Sequence, residues 1–273
     1  GLITKKMPSI AICGSHGKTT TSSILSYILS KTAYQPIVNV GSIVPQLVTY
    51  RARKPKLFVF EADEYQNKFE YFFPKIVILT NIDYDHPDYF KNAQHYQLIF
   101  KEFIKRIPAN GLLIYCVDDK NSYAVAQNAK CRKLGYGLSE QTDIQVKITE
   151  FSPLQMKFEL GFEGKPKQTF VSRLIGRHNA LNLAAAITCA NFLDVPTTAT
   201  IYKTLSDFRG TKRRMEIMKK VKINGNECII IDDFGHHPTE IMATITTIKA
   251  AYPKQTLWAV FQPHTFSRTE ALF

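Results

Sequence analysis

Gly14-Ser15-His16-Gly17-Lys18-Thr19-Thr20 is the stretch of this sequence best equipped for chemistry. The apolar run Ile10 to Cys13 precedes it and reads as a buried strand, and a helix from Lys18 to about Ser30 follows. Strand, glycine turn and helix in that order make a phosphate-binding loop. Glycines let backbone N–H groups crowd round phosphate oxygens, the unpaired amides of the helix start add positive potential, and Lys18 supplies a full charge. The hydroxyl of Thr19 is placed to ligate Mg²⁺. The usual pattern is G-x-x-x-x-G-K-[ST]; its first glycine position holds Ile12, which leaves the variant G-x-x-G-K-T.

Further groups of reactive residues follow predicted strands, where open α/β sheets bind ligands. Glu61-Ala62-Asp63-Glu64 ends a buried strand with acids, and Mg²⁺ bridging phosphates needs one or two carboxylates beside a Thr hydroxyl. Thr80-Asn81 and Asp85-His86-Pro87-Asp88 follow another strand, with His86 a candidate ligand. Gly176-Arg177-His178-Asn179 opens a helix on which Asn179 and Asn182 share a face; paired amides suit an adenine edge, and N-capping by Asn179 suits the same residues. Arg213-Arg214 offers a fork for a γ-phosphate, and Asp232-Asp233 ends what reads as a buried strand (Cys228 to Ile231), as a ribose-hydroxyl acceptor would. Gly235-His236-His237-Pro238 and Gln262-Pro263-His264, with Arg268, follow later strand ends; a zinc site from His236, His237 and His264 is an alternative without cysteine ligands.

The elements that must hold these groups alternate. Strands are expected at Pro36 to Val40, Lys56 to Glu61, Lys75 to Thr80 and Gly111 to Cys116. A helix is expected over Asn92 to Arg106, with Leu98, Ile99, Phe103 and Ile107 as its apolar side. That alternation predicts a mainly parallel sheet with helices on both faces. From Asp143 to Leu174 the period becomes two, as in antiparallel strands, with a turn at 161–166. Helices are expected over Ala180 to Phe192 and 197–208. A boundary near Phe208 to Arg214 precedes a hairpin (Glu216 to Val221, Glu227 to Ile231), a helix (Pro238 to Ala250), a strand (Thr256 to Phe261) and a helix starting at Thr265.

The chain has 273 residues, 45% of them hydrophobic, enough for one or two domains with a sizeable core. No apolar run approaches the roughly 18 residues of a membrane span and no signal-peptide pattern is present, so a soluble, cytoplasmic protein is expected. The five cysteines (Cys13, Cys116, Cys131, Cys189, Cys228) lie far apart, as reduced thiols do. The net charge of +12 suits nucleic acid or nucleotide phosphates. The basic residues are spread along the chain, with Lys219-Lys220-Val221-Lys222 the densest late cluster, and lack the aromatic interleaving of single-strand binders; neither a nucleic-acid nor a membrane partner is expected.

Taken in order, Gly14-Ser-His-Gly-Lys-Thr-Thr, Glu61-Ala-Asp-Glu, Thr80-Asn-Ile-Asp-Tyr-Asp-His-Pro-Asp, Gly176-Arg-His-Asn-x-x-Asn, Arg213-Arg214, Asp232-Asp-Phe-Gly-His-His-Pro-Thr-Glu and Phe261-Gln-Pro-His resemble the Mur ligase family over essentially the whole chain. His16 and the Gly-His-His-Pro-Thr-Glu run are similar to its L-alanine-adding branch. The resemblance implies an ATP-dependent ligase of peptidoglycan synthesis that joins L-alanine to the lactyl carboxylate of UDP-N-acetylmuramate through an acyl phosphate. A ligase that attaches a recycled tripeptide to the same sugar is the near alternative, and a basic P-loop nucleic-acid-binding module the distant one. It also implies a central P-loop ATPase domain over residues 1–210 and, over 211–273, the first part of a Rossmann-like C-terminal domain. The expected piece lacks the UDP-sugar domain and is not expected to complete the reaction alone.

ATP and Mg²⁺ are the implied cofactors. Gly14, Ser15, His16, Gly17, Lys18, Thr19 and Thr20 would cradle the phosphates, and Thr19 and Glu61 would bind one Mg²⁺, with His86 helping to bind a second. Asn179 and Asn182 would meet adenine, Arg214 the γ-phosphate and Asp233 the ribose. Lys18, Glu61, His86, Arg214 and His237 form the implied catalytic set, and His236, His264 and Arg268 would join His237 on the acyl-phosphate and amino-acid side. A carbamylated lysine at Lys101 is a looser inference. No oligomeric state is implied.

Overall fold

A computed structural model describes residues 1–164, 166–195, 200–223 and 225–272. Its centre is a sheet in which β1 (Ser9–Cys13) pairs in parallel with β3 (Phe58–Glu61) on one side and β4 (Ile76–Leu79) on the other. β2 (Ile37–Asn39) adds outside β3; β5 (Leu112–Cys116) and β6 (Arg132–Gly137) continue beyond β4, all parallel. β7 (Ile144–Phe151) joins β6 in parallel, then pairs antiparallel with β8 (Met156–Phe162), which pairs antiparallel with β9 (Gln168–Ser172). The spatial order is β2-β3-β1-β4-β5-β6-β7-β8-β9.

Alternate side chains on each strand face opposite ways, and here both faces are covered. Ile10, Ile12, Val59, Ile78 and Ile114 pack in one core under α2 (Lys18–Ser30) and α5 (Arg177–Phe192). Ala11, Cys13, Phe60, Val77 and Leu113 pack in the other, under α3 (Ala93–Ile104) and α4 (Lys120–Ala126). Burial on both faces is why these strands read as unbroken apolar runs. α1 (Leu2–Lys6) precedes β1, and α6 (Tyr202–Asp207) packs against β9. The C-terminal segment is an antiparallel hairpin of β10 (Glu216–Ile223) and β11 (Asn226–Asp232), then α7 (Pro238–Ala251) and α8 (Phe266–Leu272).

Several expectations change. Leu98 lies on the outer side of α3, 50% exposed, while Tyr96, Phe100 and Phe103 fill its inner face. It stands two positions from both Tyr96 and Phe100, about 200° round the helix from each. Thr256 to Phe261 is not a strand: Trp258 and Val260 are exposed and neither sheet includes the segment. β11 is half exposed along its length. β6 and α4 were not expected, and of the helix expected over 197–208, residues 197–199 lie outside the described residues, as does Lys165 in the expected 161–166 turn. Cys13, Cys116, Cys131 and Cys189 are buried free thiols, and Cys228 is half-buried. No described helix is long and apolar enough to cross a membrane.

Candidate nucleotide-binding site

The loop between β1 and α2 is bolted to the end of β4. Ser15 N–H donates to Asn81 O (3.1 Å), His16 N–H to Asn81 Oδ1 (2.9 Å), and Thr80 Oγ1 and Asn81 Nδ2 donate to His16 O (2.6 and 3.0 Å). Ser15 Oγ donates to Asp83 O (2.6 Å) and accepts from Asp83 N–H (2.8 Å). This closeness explains two glycines. Gly14 has φ +130°, and a side chain there would strike Thr80 and Asn81; Gly17 has φ +82°, and a side chain there would strike the Asn182 amide.

α2 begins without a side-chain cap. Its first intrahelical acceptor, Gly17 O, takes Thr21 N–H (2.9 Å). The amides from Gly17 to Thr20 are those a helix start leaves unpaired, an arrangement that suits an anion.

A cavity of about 420 Å³ opens on that end. Its lining brings together His16, Gly17, Thr19 and Thr20 from the loop, Asn179 and Asn182 from α5, and Arg214 and Asp233 from the C-terminal segment. Eight of the residues expected to bind nucleotide thus share one space. The two Asn side chains are buried, and much of their bonding capacity is used internally. Asn179 Nδ2 donates to Ile175 O (2.8 Å), and Asn182 Oδ1 accepts from Thr21 Oγ1 (3.2 Å). Asp233 accepts from Met215 N–H (2.8 Å) and Gly235 N–H (2.7 Å), and burial raises its pKa against those bonds. His178, also on the lining, is pushed down to about 4 by burial, so it is neutral at neutral pH.

Thr19 and Glu61 do meet: Thr19 Oγ1 donates to Glu61 Oε2 at 3.0 Å, and Glu61 Oε1 accepts from Gly41 N–H (2.6 Å) and Ser22 Oγ (3.1 Å). A hydroxyl and a carboxylate are hard oxygen donors, and ligands about 3 Å apart fit adjacent corners of an Mg²⁺ octahedron. The pair therefore suits the ion expected there. His86 stands elsewhere, with Nε2 3.8 Å from Glu64 Oε1 and 3.8 Å from Asp85 Oδ2.

Lys18 is turned back over its own loop. Its ammonium donates to Gly14 O, to Ser15 O (3.2 Å) and to both oxygens of Glu64 (3.0 and 3.2 Å). Burial opposes its charge, but Glu64, with smaller help from Asp63 and Glu61, outweighs that and raises its pKa. For His16, burial again works against the proton, and hydrogen bonds to Asp83 and Glu240 win, raising it to about 9. Burial would raise Asp83 and Glu240; their His16 contacts instead lower Asp83 to about 2 and hold Glu240 far below the usual carboxylate range.

His237 caps α7. Its Nδ1 accepts from Thr239 N–H (3.3 Å), its Nε2 donates to Tyr84 O (3.1 Å), and its ring lies 4.6 Å from that of His16. Buried and engaged at both nitrogens, it braces the loop after β4. His236 stacks on His264 (4.8 Å) while His237 packs against His16, so the three histidines of the zinc alternative do not converge; the ligand atoms that do are on His16, Asp83 and His237. Lys101 lies in the last turn of α3, more than a turn along the helix from Tyr96, which faces the loop.

Glu64, Asp83, Tyr96 and Glu240 were not singled out by sequence. Each except Tyr96 sits inside a quoted motif, so the signal was the motif and not the individual residue.

Residues 12–190 match the family model described as the Mur ligase middle domain, and residues 213–273 match the one described as the Mur ligase, glutamate ligase domain. Proteins named UDP-N-acetylmuramate–L-alanine ligase from Alkaliphilus metalliredigens and Caldanaerobacter subterraneus are each 38% identical over 275 aligned residues, covering 100% of this chain and 58% of the relative. The crystal structure of UDP-N-acetylmuramate–alanine ligase from Thermotoga maritima superposes with a TM-score of 0.79 at 25% identity, over 98% of this chain and 60% of that one. A murein peptide ligase from Psychrobacter arcticus superposes with a TM-score of 0.71 at 25% identity, over 96% and 58%. The chain thus spans about 58% of the length of the curated relatives it matches.

Proposed function

The chain belongs to the Mur ligase family, and on that premise we propose that it carries the ATP-using part of a ligase that joins L-alanine to the lactyl carboxylate of UDP-N-acetylmuramate. The observation that carries this reading is the single cavity in which the uncapped start of α2 faces Asn179, Asn182, Arg214 and Asp233.

A lactyl carboxylate oxygen would attack the γ-phosphorus of ATP as the bond to ADP breaks, giving an acyl phosphate. The amine of L-alanine would then attack the acyl carbon, phosphate would leave and the amine would lose its proton. Catalysis of the first step is positioning and neutralisation of charge. The α2 amides and Lys18 would supply positive charge at the β- and γ-phosphates, with Arg214 approaching the γ-phosphate. Asn182 Nδ2 also donates to Asn179 Oδ1 (3.4 Å), so each Asn would offer adenine its second N–H and second oxygen lone pair, and Asp233 has acceptor sites left for a ribose hydroxyl. Thr19 and Glu61 would hold Mg²⁺ and His86 would help hold a second ion; bound there, the metal neutralises phosphate charge. We take residues 1–210 as the ATP domain and 211–273 as the segment that closes over it. A cytoplasmic location goes with this reading.

The test is phosphate release from ATP by the protein that carries this chain, with UDP-N-acetylmuramate present and L-alanine, other amino acids or tripeptide offered in turn. Release should need the sugar nucleotide, respond to L-alanine and vanish in Lys18→Ala. Release that survives Lys18→Ala contradicts the mechanism, and preference for tripeptide moves the protein to the recycling branch.

A further inference from the structure

Glu64 is 1% exposed, the most buried carboxylate among the described residues, and none of the roles above uses it. A carboxylate taken out of water costs several kcal/mol unless its oxygens are paired. Both are: they receive the Lys18 ammonium at 3.0 and 3.2 Å, and Oε1 also accepts from Tyr96 Oη at 3.0 Å. The Tyr96 hydroxyl touches Ser15 Oγ as well (2.9 Å), so Glu64 is tied to the phosphate loop at two points.

A second chain of contacts reaches Glu64 from the far end of the sequence. Arg268, on α8, donates from Nε to Asp85 Oδ1 at 2.8 Å; these side chains are 7% and 8% exposed and lie 183 positions apart. The same Asp85 oxygen accepts His86 N–H at 2.7 Å, and His86 holds φ +56°, a conformation that an L-residue keeps only when its surroundings impose it. The imidazole Nε2 stands 3.8 Å from Glu64 and 3.8 Å from Asp85, balanced between two carboxylates. With Arg268 in place, Asp85 is already partnered; without it, an unpaired Asp85 would compete for His86 and draw it from Glu64.

We propose that Glu64 is the positioning residue of the Lys18 ammonium, and that Arg268 acts on it through Asp85 and His86, so that docking of the C-terminal segment sets the phosphate-loop lysine. The proposal rests on the reading of Lys18 as the phosphate-binding lysine. It makes Arg268 a positioning residue, acting from behind the loop.

The test reads Lys18 directly in the chain without nucleotide. In protein labelled with ¹³C-lysine, the Cε resonance of Lys18 is identified by its loss in Lys18→Arg. It should lie apart from the surface lysines, with restrained relaxation, and move into their range in Glu64→Gln. Arg268→Ala, which draws His86 off Glu64 and leaves that carboxylate to Lys18, should move it further from the surface lysines, Arg268→Lys should restore at least about half of the shift, and Arg268→Ala should add nothing in the Glu64→Gln background. If Glu64→Gln fails to fold, Glu64→Asp, which withdraws the carboxylate by one methylene, takes its place in the cycle. A Lys18 resonance indifferent to Arg268, or moved by the same amount in both backgrounds, overturns the coupling. A chain whose Lys18 follows Glu64 and Arg268 but which binds no ATP keeps the coupling and overturns the functional reading.

Discussion

Nδ1 of His16, in the loop between β1 and α2, is 3.4 Å from Oε1 of Glu240 on α7, and its Nε2 is 3.1 Å from Oδ2 of Asp83. The loop that would hold phosphate is thus fastened by charge to the C-terminal segment. Arg214 faces the same Glu240 oxygen at 3.6 Å, and Thr239 Oγ1 donates to Asp83 at 2.5 Å, so the contact is a small network.

The network gives stability a pH signature. The His16 pKa rises from 6.5 to about 9 on folding, so its contribution is full below pH 6.5 and is lost as pH rises through 9. That shift corresponds to about 3 kcal/mol. Urea unfolding across this window should show that loss in the wild type and a flatter profile in His16→Asn. On the acid side, Asp83, lowered from 3.8 to about 2, contributes above pH 3.8 and loses its contribution as pH falls through 2. Equal alkaline slopes for the two proteins would show that the network does not carry this energy.

Gly17 cannot take a side chain. Its φ of +82° and the Asn182 amide above it predict that Gly17→Ala costs about 1–3 kcal/mol in denaturant unfolding and weakens ATP binding. Unchanged values for both would mean that the loop is looser than its contacts imply.

Thr19 and Glu61 should set the metal requirement. Glu61→Gln keeps the shape but removes the charge, and should raise the Mg²⁺ needed for half-maximal ATP binding by about tenfold or more. Binding of the nucleotide without metal should change little. An Mg²⁺ titration superposable on the wild type would remove Glu61 from the ion's ligands.

The two sides of α3 should behave oppositely. Leu98→Lys, on the outer side, should stay within about 0.5 kcal/mol of the wild type. Phe100→Ala, in the core, should cost about 3–5 kcal/mol. Similar losses at both positions would contradict the helix orientation.

These residues also mark what the sequence could tell. The strand, glycine loop and helix around Gly14 to Lys18 were readable because they are local: they lie within one short stretch, and the start of α2 falls at Lys18 as expected. The sheet was readable wherever a strand is buried on both faces. β6 was not, because Arg132-Lys133-Leu134-Gly135-Tyr136-Gly137 mixes charge and glycine with its apolar residues, and pairing with β5 and β7 decides its conformation. Thr256 to Phe261 had the composition of a strand, but composition cannot supply a neighbour. Leu98 looked like part of a stripe that its phase excludes. The roles of Glu64 and His16 depend on partners dozens to hundreds of positions away, so their motifs stood out while the contacts that define them did not.

The central claim is that the loop from Gly14 to Thr20 binds the phosphates of ATP with the charge of Lys18, beside the cavity that His16, Gly17, Thr19 and Thr20 share with Asn182 and Arg214. Calorimetric titration of this chain with ATP and Mg²⁺, wild type against Lys18→Ala, tests it most directly. The wild type should bind at a single site, and Lys18→Ala, with its fold intact by circular dichroism, should lose that binding. No heat from the wild type, or equal affinity in the two proteins, would contradict it.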